Sequence, residues 1–137
     1  MSGISFFRQN ANWLAAGILM TLASSFGQTY FISIFADKVR DEFSLSHGEW
    51  GGAYTLGTGI SAILMIWAGV LADKYRARVI VSAAFLGLAL SCIAMAVNSL
   101  VWLLPMVILA LRFNGQGMLS HIPGVTMARW FASARGK

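Results

Sequence analysis

The sequence predicts an all-α integral membrane protein with four transmembrane helices, on three observations. Of the 137 residues, 58% are hydrophobic before the 14 glycines are counted, and only 11% are charged. A water-soluble domain carries about 25% charged residues, so this chain has too few to cover a water-facing surface. Four apolar stretches each reach the roughly 20 residues needed to cross a hydrocarbon core as helix. Nine of the ten Lys and Arg residues fall in short bursts outside those stretches. Disorder is excluded, because disordered chains are rich in charge and poor in apolar residues. The single cysteine, Cys92, excludes a disulfide framework and any cysteine metal cluster. A net charge of +5 would point to nucleic acid only on a clustered basic face, so no nucleic-acid partner is expected. A transmembrane barrel would show alternating segments of about 10 residues, and none is present.

The first span is expected over about 11–36, the second over about 49–72, the third over 79–97 and the fourth over about 100–128. The first is too long for the h-region of a signal peptide and has no small-residue cleavage site before Asp37, so it is expected to stay in the mature protein. Ser46-His47-Gly48-Glu49 is an S-x-x-E capping box opening the second span; an external ligand site at His47 is the weaker reading of the same residues. The Asn98-Ser99 link makes spans three and four antiparallel neighbours.

Orientation follows from positive charge. An even number of spans puts both termini on one side, with Arg8, Lys74, Arg76, Arg78, Arg129, Arg135 and Lys137. The other side has Lys38 and Arg40, diluted by Asp37, Asp41, Glu42 and Glu49. Seven against two predicts cytoplasmic termini. Trp13, Trp67 and Trp130 fall near the inner boundary and Trp50 and Trp102 near the outer, as in interfacial aromatic belts.

Polar residues report what each helix faces. The third span, relieved only by Ser82, Gly87, Ser91 and Cys92, can face lipid. The second carries Gly51, Gly52, Gly57, Gly59 and Gly69 with Thr55, Thr58 and Ser61, small residues that let helix backbones approach closely. In the first, Gly17, Thr21, Ser24 and Gln28 recur at i, i+4, i+7 and i+11 and draw one polar stripe, widened by Ser25 and Thr29. That stripe reads equally as interhelical hydrogen bonding or as the wall of an aqueous cavity.

The fourth span is the most informative. Arg112 lies twelve residues beyond Leu100, about 18 Å along a helix rising about 1.5 Å per residue and near the bilayer midplane. A charge there costs about 2.5–3.5 kcal/mol on insertion scales and normally faces a bundle interior, marking a substrate or proton path. A structural pairing with a carbonyl, or with an acid from outside the four spans, is the alternative. Gln116 and Pro123 share the Arg112 face, while Asn114, Gly117 and His121 take the opposite one. A helix polar on two sides is expected at the centre of the bundle. His121 suits an interhelical hydrogen bond, or a proton transfer given the usual pKa of histidine.

At the junction of spans two and three, Gly69-Val70-Leu71-Ala72-Asp73-Lys74-Tyr75-Arg76-Ala77-Arg78 resembles the G-x-L-a-D-[RK]-[FY]-G-R-[RK] signature between helices two and three of the major facilitator superfamily. Gly69, Leu71, Asp73, Lys74, Tyr75 and Arg78 match; Arg76 and Ala77 stand where the family has glycine and arginine. Arg112-Phe113-Asn114-Gly115-Gln116-Gly117 is similar to the family's helix-four motif, an arginine with glycines at +3 and +5. The segment Met127–Phe131 with Arg135-Gly136 is similar to a stretch of monocarboxylate and oxalate–formate carriers.

The resemblance implies a secondary transporter working by alternating access. The family has twelve helices in two halves, with inverted repeats inside each. Residues 1–137 would then be a partial N-terminal half, with 129–137 beginning the cytoplasmic loop before a fifth helix. Asp73 would engage cytoplasmic helix ends of the other half, with Gly69, Lys74 and Arg78 completing the conformational motif. Arg112, Gln116, Asn114, Gln28, Ser24 and Thr21 would line the substrate or proton pathway. The implied partners are the lipid bilayer, the remaining helices and a small solute with a coupling proton; the implied location is a bacterial inner membrane. A small organic anion is the first substrate class, and a proton-coupled drug or metabolite exporter the second.

Two other classes compete. A stand-alone four-helix protein could oligomerise like the small multidrug exporters, but those need an acid in the first helix, where this chain has Gln28 and hydroxyls. An enzyme is not expected: there is no G-x-S-G serine nucleophile, and His47 and His121 are too far apart in sequence to suggest a zinc site. No cofactor or metal is implied.

Overall fold

The computed structural model describes residues 8–130, and of Ala72, Asp73 and 128–130 the backbone alone. The described residues are almost all helical, and no strand occurs among them. In chain order the α-helices are α1 (Ala11–Ser24), α2 (Thr29–Ile34), α3 (Ala36–Phe43), α4 (His47–Lys74), α5 (Ala77–Val97), α6 (Leu104–Leu111) and α7 (Ser120–Trp130). Two 3₁₀ turns, Ser25–Gly27 and Val101–Leu103, and one π-helical segment, Arg112–Leu119, complete the chain.

Three helical stretches are long and apolar enough to cross a membrane: His47–Leu71, Ala77–Val97 and Val101–Met127. They correspond to the second, third and fourth predicted spans. The first prediction, one helix over about 11–36, is corrected. Gln28 adopts an extended conformation (φ −79°, ψ 151°) between the 3₁₀ turn and α2, and Phe35 interrupts the helix again at φ −96°, ψ −1°. Hydroxyls help to explain the bend. Thr21 donates to the Gly17 carbonyl at 2.9 Å, Ser24 to that of Thr21 at 2.7 Å, and Ser33 to that of Thr29 at 2.7 Å, and such back-bonding loosens helices. A run of aromatic contacts spans the break: Phe26 meets Phe31 edge-on at 5.0 Å, and Phe31 meets Phe35 at 5.3 Å.

Beyond the break, α3 is amphipathic and charged. It ends at Ser44, which adopts a left-handed conformation and donates its N–H to Asp41 while Leu45 donates to Arg40. The capping box is present as predicted. The Ser46 hydroxyl accepts from the Glu49 N–H at 3.2 Å, and the Glu49 carboxylate accepts from the Ser46 N–H at 2.9 Å. At the α5–α6 link, the Asn98 side chain accepts from the Leu100 N–H and donates to its carbonyl, folding the chain back so that α5 packs along α6 and the π segment.

The fourth stretch is the centre, as its two polar faces predict. It is 39% buried, against 17% and 22% for the other two, and contributes the most deeply enclosed side chains, Leu104, Ile108 and Leu119. Around it pack α4, α5 and the α1 limb. α5 turns Ile80, Ala84, Leu88 and Ser91 inward and leaves Leu86, Leu90, Ile93 and Val97 exposed, Val97 at 74%. Large apolar side chains on the outside of a bundle are what contact with lipid tails requires.

Candidate functional site

The fourth stretch does not continue as a regular α-helix past Leu111. From Arg112 to Leu119 it widens into a π-helical segment, a form common at functional sites. Pro123 stands one turn past its end and cannot donate to the Leu119 carbonyl. This widened segment crosses the first stretch where that stretch is broken. Gly27 and Gly115 meet there without side chains between them: a Cβ on Gly115 would lie 2.6 Å from the Gly27 Cα.

The crossing places Arg112 beside the break. The residue is 8% exposed. Its Nη1 donates to the Thr29 hydroxyl at 2.7 Å and, at a long 3.5 Å, to the Gly27 carbonyl. The guanidinium also sits over the Tyr54 ring, with Cζ 5.6 Å from the centroid. All three partners are neutral. Among the described residues the one ion pair is Arg40–Asp37, on α3. The carbonyl pairing that the sequence left open is therefore present, but it occupies only one of the guanidinium's nitrogens.

The other predicted pathway residues divide. Gln28 reaches across to the fourth stretch, its Nε2 donating to the Ser120 hydroxyl at 3.2 Å. Ser24 is buried and bonded to its own helix. Thr21 is exposed and bonded likewise; with Leu14 and Gly17 it lines an open apolar groove of about 480 Å³ against Pro123, Gly124 and Met127. Among the described residues the stripe makes interhelical hydrogen bonds at Gln28 and Thr29, while Gly17 packs on Met127. Gln116 is half-buried and its Oε1 is enclosed without a hydrogen-bond partner. Asn114 points away from Arg112. Its Nδ2 donates to the Ala110 carbonyl at 2.9 Å, and its amide packs on Gly87 of α5, where a Cβ would lie 2.5 Å from the Oδ1. His121 is exposed.

On α4, the expectation that its glycines pack closely holds for Gly57 alone, whose missing Cβ leaves room for the Pro105 carbonyl and Ile108. Gly51, Gly52, Gly59 and Gly69 face open space. Lys74 and Arg78 are exposed at the α4–α5 turn, while the Asp73 side chain, like Arg129, Trp130, Arg135 and Lys137, lies outside the described structure. Among the described residues no group of three His, Cys, Asp or Glu could hold a metal.

Sequence reasoning missed Tyr54 and read Thr58 only as a small packing residue. Both polar atoms, the Tyr54 hydroxyl and the Thr58 Oγ1, are buried without a partner. Their spacing of four puts them one turn apart on a single helix face, a signal that was present but overshadowed by the neighbouring glycines. Comparison with protein-family models, curated proteins and solved structures gave no match.

Proposed function

We propose that this chain is the N-terminal, four-span portion of a secondary transporter of the major facilitator type, carrying a small solute, an organic anion first, by alternating access. One observation carries the reading: a buried guanidinium at the crossing of a broken helix and a π segment, with neutral partners only. An apolar bundle gains nothing from such a charge, since a hydrophobic replacement is often neutral or stabilising where ions are buried. Its presence there suits a passing solute whose charge it complements. Non-helical backbone inside a bundle is likewise tolerated where it is enclosed by protein or lines a cavity.

In this reading Gln28 and Gln116 add polar contacts along the path. Asp73, with Lys74 and Arg78, biases the two states from the cytoplasmic α4–α5 turn. The bilayer, the remaining helices and a coupling proton are the partners, and the protein resides in the inner membrane with these termini cytoplasmic. The test is uptake of a carboxylate panel by cells producing the protein. Wild type accumulates at least one carboxylate, and Arg112→Gln abolishes the accumulation with membrane insertion unchanged. Equal uptake by the variant overturns the reading.

A second reading is favoured by the open glycine face of α4: a stand-alone four-span protein that oligomerises through it. Cysteines placed at Gly52 and Gly59 would then crosslink between identical chains, whereas in the transporter reading that face packs on other helices of the same polypeptide.

A further inference from the structure

We propose that the π segment is one position of a two-state switch, held in that position by a clamp on the break in the first stretch. The clamp has two jaws. At the head of the segment, Arg112 Nη1 donates to the Thr29 hydroxyl at 2.7 Å and to the Gly27 carbonyl at 3.5 Å. Just past its end, the Ser120 hydroxyl accepts from Gln28 Nε2 at 3.2 Å. Gly27, Gln28 and Thr29 are consecutive, and Gln28 is the extended residue of the break. Three neighbouring residues are thus gripped from both ends of the eight-residue segment Arg112–Leu119.

Both grips depend on the winding. An i→i+5 ladder takes roughly 4.4 residues per turn, against about 3.6 in an α-helix. Over this segment the difference comes to about a third of a turn. With Arg112 held at Thr29, relaxing the segment to α swings Ser120 through that angle, away from Gln28. The two jaws close together only on the π form. Gly27 also sits on the widened backbone itself. A Cβ there would strike the Leu111 carbonyl and lie 2.8 Å from the Gln116 nitrogen, an acceptor and a donor at the spacing that a π ladder joins.

The helices on either side of the segment are held unequally. α6 is anchored, with Leu104 and Ile108 fully enclosed and the Pro105 carbonyl against Gly57 of α4. α7 has an open face of Ser120, His121 and Gly124 and flanks the groove that it shares with α1. When the clamp opens, α7 is therefore the part that turns. At about 100° per residue, a third of a turn carries the buried Thr126 outward and the exposed His121 inward. Packed segments of this kind change between discrete arrangements rather than deforming continuously. Opening also withdraws Arg112 from the break. Every bond of the clamp joins residues of this chain, so the clamp is present whether or not further helices surround it.

The experiment uses the whole 137-residue chain in phosphatidylcholine nanodiscs, with Cys92→Ser as the background. The jaws are opened by Thr29→Val, which keeps the branched shape without the hydroxyl, and by Ser120→Ala, alone and together. Thr29 and Ser120 share no partner, and substitutions without a shared partner ordinarily add. Here the loss of either jaw releases both, so the double variant should melt no lower than the less stable single one. Gln28→Leu breaks the second jaw from its other side and should give the same pattern in place of Ser120→Ala. In parallel, a nitroxide is attached through Thr126→Cys, His121→Cys or Met106→Cys, and its collisions with dissolved oxygen, which reaches exposed positions in lipid and in water, are measured by electron paramagnetic resonance. Opening the clamp should raise the collision rate severalfold at 126, lower it severalfold at 121, and leave it unchanged at 106, an exposed position on α6. Additive melting losses, unchanged rates at 121 and 126, or a change at 106 as large as that at 126 would each overturn the proposal.

Discussion

Gly27 and Gly115 meet backbone to backbone: a Cβ on Gly115 would lie 2.6 Å from the Gly27 Cα and 2.7 Å from its nitrogen, and one on Gly27 would strike the Leu111 carbonyl. This contact falls at the break in the first stretch, where neither backbone carries a side chain to hold the two apart. It also sets Thr29 and the Gly27 carbonyl within reach of Arg112.

The first prediction tests that contact. Overpacking a tight site costs about 1–3 kcal/mol when side chains can adjust, and here the obstructing atoms are backbone. Gly27→Ala and Gly115→Ala should each reach at least the upper end of that range in thermal melting of the detergent-solubilised protein. Gly51→Ala and Gly59→Ala, on the open face of α4, are the controls. Alanine gains up to about 1 kcal/mol over glycine within a helix, so their melting temperatures should hold or rise. Equal damage at all four positions would mean that the crossing is not specially tight.

The second prediction concerns the bond between Gln28 and Ser120, the side-chain tie between the extended residue and the start of α7. A double-mutant cycle of Gln28→Leu and Ser120→Ala should return a coupling of about 0.6 kcal/mol, the average found for polar pairs in a membrane protein, and no more than about 1.7. Additive single effects would show that the two side chains do not act on each other.

The bundle was legible in the sequence where periodicity and composition speak. The three long stretches, the capping box at Ser46 and Glu49, the outward face of α5 and the central place of the fourth stretch all follow from local pattern. The break at Gln28 does not. Hydropathy averages over Ser24–Gln28 and sees a continuous span, whereas the break lies beside a contact between Gly27 and a glycine 88 residues away in the chain. The π segment is hidden as well: its sequence, Arg112–Leu119, has no local pattern that sets it apart from an ordinary helix. Arg112 was found by its charge alone, while Tyr54 and Thr58 became visible only once their hydroxyls proved to be enclosed.

Gly87 and Asn114 give the third prediction. The Asn114 amide occupies the space that a Cβ on Gly87 would need, with its Oδ1 at 2.5 Å and Cγ at 2.8 Å. The obstruction is a side chain rather than backbone. Gly87→Ala alone should lower stability by about 1–3 kcal/mol, and adding Asn114→Ala should recover much of that loss by clearing the clash. The measurement is the melting temperature of the three variants side by side. A double variant no better than Gly87→Ala would place the damage elsewhere in the α5 interface.

The fourth prediction lies outside the bundle, at the end of α3. Ser44 holds φ 51° and ψ 41°, and it is the one non-glycine residue with positive φ among the described residues. The left-handed region costs an L-residue roughly 1–2 kcal/mol, because its Cβ crowds the following carbonyl. Glycine carries no such penalty, and it is the usual residue where a helix ends in this conformation. Its greater freedom in the unfolded chain offsets part of the gain, by about 0.5–1 kcal/mol. Ser44→Gly should therefore stabilise the protein by up to about 1 kcal/mol, and Ser44→Val should destabilise it by more than that, because branching at Cβ aggravates the same crowding. Both are read from thermal melting, with binding at Arg112 unchanged, since α3 is separated from the crossing by the second interruption at Phe35. A Ser44→Gly variant that melts below wild type would show that the serine hydroxyl, rather than the backbone turn, holds this end of the helix.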